Sequence, residues 1–143
     1  MKGDAMSTLV GAESAGAPVA DFTRARSFAL DVLDAVPRVH AEAVAEARRV
    51  ARAVVAGRLP TAALQGAQQQ CRDAERAFSR PDVTVRQSPR RAALHVALAA
   101  LAEGFSCEPS VWLRDLVSHA LAAGASNARL VALIRNHYVV PAA

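Results

Sequence analysis

Proline and glycine cut this chain into segments, and inside nearly every segment the apolar residues recur three and four positions apart. That spacing is the period of one face of an α-helix, so each segment can bury its apolar side only against other helices. From Asp21, the residues Phe22, Ala25, Ala29, Val32, Leu33 and Val36 follow the pattern up to Pro37. Asp21 is the expected N-cap, because its carboxylate can accept a free backbone N–H of the first turn. A second segment runs from Pro37 to Gly57, with proline in the first turn and glycine at the end, the usual asymmetry of helix punctuation. Its stripe is Val39, Ala43, Ala47, Val50 and Val54.

Thr61 opens a third segment whose seam is Leu64, Ala67, Cys71, Ala74 and Phe78, ended by Pro81. A short connector, DVTVRQ, has some β character but too little length for a sheet. Ser88-Pro89 restarts the helical pattern as N-cap and first residue, and from Ala92 to Ala102 the only polar residue is His95. This segment is expected to be the central buried helix. A fifth helix is predicted around 109–123, closed by Gly124, and a sixth from Ser126 to His137.

The apolar content is 52% with only 4% aromatic, which leaves Ala, Leu and Val to build the core. Small side chains with high helix propensity favour close helix packing. The expected fold is therefore an all-α compact bundle of five to six helices. At 143 residues it forms one domain over 21–143, preceded by a flexible tail over 1–20 whose Gly, Ala and Ser show no sustained period. No internal repeat stands out, since HVALAALAEG and SHALAAG share little beyond alanine and leucine. The N-terminal stretch has no apolar run of signal-peptide length, and no segment is long enough to span a bilayer. Cytoplasmic location with free Cys71 and Cys107 thiols, and no membrane contact, is the expectation.

The formal charge is +4, and sixteen of the seventeen basic residues are arginine. Together with the alanine content, that bias reads as the bacterial-like fingerprint of a GC-rich genome, which weakens inference from net charge alone. Position says more. Residues 1–37 hold three basic groups against five acidic, residues 38–91 eleven against five, and residues 92–143 three against three.

The densest stretch is RAFSRPDVTVRQSPRR, residues 76–91. A helix N-terminus carries partial positive charge and favours acidic side chains, yet this one brings Arg90 and Arg91. Two guanidiniums beside free backbone N–H groups fit an anion or a partner's carboxylates. Arg76, Arg80, Arg86, Ser88, Arg90 and Arg91 are therefore the candidate binding residues. The functional expectation is a non-enzymatic interaction or regulatory module that takes an acidic protein surface or an anionic ligand, or that forms a homo-oligomer through a bundle face.

The rival reading is a DNA- or RNA-associated regulator. LVSHALAAGASNARLVALIRN, residues 116–136, has the small residue, glycine turn and spaced aliphatics of a helix-turn-helix in Ala120, Gly124, Leu130 and Leu133. Ser126, Asn127, Arg129 and Arg135 would then face nucleic acid. Against it stands the neutral balance of residues 92–143, because phosphate contacts dominate DNA affinity.

Enzymatic chemistry has little to rest on. His95, Cys107 and His119 are twelve residues apart in each gap, which matches no compact metal-ligand spacing. Cys71 lies on an apolar seam, where a thiol behaves as a small hydrophobe. No phosphate-binding glycine loop or serine elbow is present, so no cofactor is expected. A catalytic site would need a concavity that gathers His95, His119 or Cys107 with a carboxylate.

Overall fold

The computed structural model describes residues 4–37, 42–76 and 89–138, and these form an all-helical array. Seven helices follow in order: α1 Ala5–Ser14, α2 Phe22–Ala35, α3 Glu42–Val55, α4 Ala63–Arg76, α5 Pro89–Ala100, α6 Pro109–Ala122 and α7 Asn127–Tyr138. There is no strand among the described residues, and no described helix is long and apolar enough to cross a membrane.

The count exceeds the expected five to six because residues 5–14, assigned to a flexible tail, form α1. Ala5, Leu9 and Ala12 are buried, at the four- and three-residue spacing of a helix face. That stripe is one leucine between two alanines, too faint to stand out among Gly, Ala and Ser. Local and distant polar contacts fix its start. The Asp4 carboxylate accepts from Ser7 N–H at 2.7 Å, which holds its pKa below the usual value, and the Asn127 side-chain carbonyl accepts from Ala5 N–H at 2.7 Å. α1 packs against α7 and α6.

Asp21 caps α2 as its position implies, accepting from Arg24 N–H at 3.2 Å. Gly57 and Gly124 end α3 and α6 with φ of +75° and +101°, a region that L side chains rarely adopt. At Gly124 a Cβ would also lie 3.3 Å from the Pro37 ring, so the turn and the end of α2 are fitted to each other.

α5 is the hub. It packs against α2, α3, α4 and α6, and Ala92, Ala93, Leu94, Val96, Ala97 and Ala100 are all buried. Four of those six are alanine, which lets neighbouring axes approach from several sides. The larger residues sit around it: Phe28, Leu33, Leu64, Leu113, Leu116, Leu130, Ile134 and Tyr138 are each 2% exposed or less. Phe22, Phe105 and Trp112 form an edge-to-face aromatic cluster with centroids 5.1–6.0 Å apart. Arg48 and Arg52 of α3 pair with Asp34 of α2, tying those helices together.

Candidate functional site

Three helices bring polar side chains to one concavity. On α4, Gln68 and Arg72 are spaced by four and share a face. On α5, His95, Leu98 and Ala99 line the concavity, and α6 adds Trp112, Asp115, Leu116 and His119. The α5–α6 connection closes the far end with Glu103, Gly104, Ser106 and Cys107. The resulting groove, of about 430 Å3, has an apolar floor of Leu98, Ala99, Leu116 and Trp112 and a rim of polar groups. Gln68 helps to fasten it, donating to the Leu101 carbonyl at 2.7 Å. A second concavity of about 580 Å3 lies between α3 and α4, but there Arg49 is engaged by Glu46 and the lining gathers no histidine.

The centre of the groove is a pair of imidazoles. His95 and His119 stack with centroids 4.4 Å apart and planes 11° from parallel. His95 Nε2 lies 3.2 Å from Glu75 Oε1, and the same oxygen lies 3.7 Å from Arg91 Nη2. Burial, and next the neighbouring His95, push the His119 pKa below its ordinary value, against the opposing pull of Asp115 and Glu75. Arg72 lines the groove and makes no ion pair among the described residues.

No local spacing signals this meeting. His95, Cys107 and His119 stand twelve residues apart in sequence, which leaves their convergence open, and the structure brings all three to one groove with the carboxylates Asp115 and Glu103. The only cue was His95 as the sole polar residue of a buried segment. Chemically, an imidazole against a carboxylate can hold and release a proton near neutral pH. No group of three or more His, Cys, Asp or Glu is placed to hold a metal ion among the described residues.

The two thiols separate as their positions imply. Cys71 is buried, with Sγ 3.8 Å from the Ala43 carbonyl oxygen, and burial pushes its pKa up to about 11; Cys107 is exposed.

Of the arginine-corner residues, Arg76, Arg90 and Arg91 are described, whereas Arg80, Arg86 and Ser88 lie outside the described residues. The Glu75–Arg91 pair brings the end of α4 to the start of α5. Arg76 is exposed and sits 3.6 Å from Asp73, and Arg90 is exposed in the first turn of α5, which holds no acidic residue.

The helix-turn-helix candidates are placed differently. Ser126 Oγ accepts from Arg129 N–H at 3.1 Å and caps α7, while the Asn127 side chain reaches α1. Two of the four polar groups expected to face nucleic acid are thus bonded to the fold itself. Arg129 and Arg135 are exposed, on a helix flanked by α1 and α2. His137 of α7 is half-buried, with Nε2 2.7 Å from Asp31 Oδ2.

No protein-family model, no curated protein and no solved structure matches this chain.

Proposed function

We propose that this chain is a non-enzymatic helical interaction module that holds an acidic protein surface or an anionic ligand at the corner where α4 ends and α5 begins. The observation that carries this reading is the Glu75–Arg91 contact, which joins the end of α4, where Arg76 is exposed, to the first turn of α5, where Arg90 is exposed and no residue is acidic. Backbone N–H groups at that end are already polarised for a negative charge, and guanidiniums add bidentate donors. Arg80, Arg86 and Ser88, candidates by sequence, lie outside the described residues.

Support also comes from the fate of the rival segment. A recognition helix needs its N-terminal polar groups free for base edges and phosphates. On α7, Ser126 and Asn127 are occupied by helix capping and by α1.

Fluorescence anisotropy with a labelled polyglutamate peptide and with random-sequence duplex DNA tests the choice. The Arg90→Glu/Arg91→Glu double variant is expected to weaken peptide binding about tenfold, equivalent to about 1.4 kcal/mol. Arg129→Ala/Arg135→Ala should leave it unchanged. Steeply salt-dependent DNA binding that disappears in Arg129→Ala/Arg135→Ala would overturn the proposal in favour of the helix-turn-helix.

A further inference from the structure

The arginine corner and the histidine groove share one carboxylate. Glu75 Oε1 faces Arg91 Nη2 at 3.7 Å and His95 Nε2 at 3.2 Å, and His95 in turn lies flat against His119. We propose that His95 is a proton-operated control on the corner: a proton taken from solvent at Nδ1, with Nε2–H already facing Glu75, turns the His95–Glu75 contact into an imidazolium–carboxylate pair, adds one positive charge, and tightens the hold on an acidic partner. The inference rests on the corner being the binding site.

Two distances and the burial of His119 favour a single proton, on His95. Two imidazolium rings stacked at 4.4 Å would repel, so uptake by one ring opposes uptake by the other. His95 has a carboxylate oxygen at 3.2 Å, close enough to hold the charged ring. Burial disfavours the charged form of His119, as does the charge on His95.

The other charges around the pair come from every element packed on α5. α4 supplies Glu75 and Arg72, α5 itself Arg91, and α6 Asp115, four residues before His119. Glu103 and Cys107 stand at the far rim, and Arg26 of α2 donates to the Ala102 carbonyl there at 3.2 Å. Arg48 and Arg52 of α3 are engaged with Asp34. Glu75 is the carboxylate in contact with both His95 and the arginine corner, and so can pass a charge change from one to the other.

The experiment has two arms. Long-range 1H–15N spectra of the imidazoles, recorded between about pH 8 and pH 5, follow each ring through the range where histidine titrates. His95 should gain its proton at higher pH than His119, and Glu75→Gln should move the His95 midpoint down. Polyglutamate affinity, measured alongside, should rise about threefold between about pH 7.5 and pH 6, the effect of one added charge near a solvated surface. His95→Gln should keep the affinity at the upper pH and lose that rise. Glu75→Gln should bind more tightly at the upper pH and show a flat profile, which keeps the test decisive if His95→Gln fails to fold. An unchanged rise in His95→Gln, or a His95 midpoint that ignores Glu75→Gln, would overturn the proton control alone. Absence of peptide binding at every pH would instead remove the corner reading.

Discussion

The α1–α7 side of the molecule and the α4–α5–α6 side both carry polar side chains near helix ends, and they use them in opposite ways. On the first, Asn127 bonds to Ala5 N–H, Ser126 caps α7, Glu13 pairs with Arg114 at 2.9 Å and His137 contacts Asp31 at 2.7 Å. Ser126 serves its own helix, and the other groups join elements distant in sequence. On the second, Arg72, His95, His119, Asp115 and Glu103 line a concavity instead. The contrast teaches that polar residues of a motif-like run can be bonded within the fold, while an unremarkable histidine inside an apolar run can line a concavity.

The largest expected effect tests whether α1 belongs to the fold at all. Leu9 is fully buried, so Leu9→Ala should cost about 3 kcal/mol in urea unfolding, as deleting a buried leucine side chain commonly does. A loss of only a few tenths would return residues 5–14 to a tail and erase one half of the comparison.

Next is Asn127→Ala, which removes the acceptor for Ala5 N–H and should lower stability by about 1 kcal/mol. Hydrogen exchange at the first turn of α1 should accelerate, with no change in DNA binding. Altered DNA affinity at unchanged stability would mean that the side chain reads nucleic acid after all.

The smallest effect sharpens the groove side. The folded state holds the His119 pKa below its ordinary 6.5, so the unfolded chain takes this proton more readily than the folded one. Stability should therefore be fully present above pH 6.5 and decline as pH falls below it, toward the lowered folded value. His119→Gln should show a shallower decline in that window, checked by urea unfolding at paired pH values. The carboxylates Asp4 and Glu46, also held below their usual values, lose their contributions only as pH falls below 3.8 and 4.5, so those losses begin at lower pH than the loss at His119. An identical decline in His119→Gln would place His119 outside the groove's desolvated region.

The helices were legible because their signals are local. Asp21, Pro37, Gly57 and Gly124 mark boundaries through backbone chemistry that depends on adjacent residues alone. The central place of α5 was legible from its near-unbroken apolar run between Ala92 and Ala102. α1 was not, because three buried residues separated by Ser, Thr and Gly give almost no periodic contrast; its order depends on Asn127, more than a hundred positions away. The arginine corner could be named from charge alone. The histidine groove could not, since no local spacing relates Glu75, His95 and His119.

What the sequence determined by itself was the all-α class, most helix boundaries and the concentration of positive charge in residues 38–91, all properties of neighbouring residues. The tertiary structure alone decided which polar groups meet. The packing of α4 and α6 on α5 sets Glu75 against His95 and His95 against His119, and the packing of α1 on α7 engages Asn127. Helix period fixes the face on which a side chain stands, but only the arrangement of whole helices fixes what that face meets.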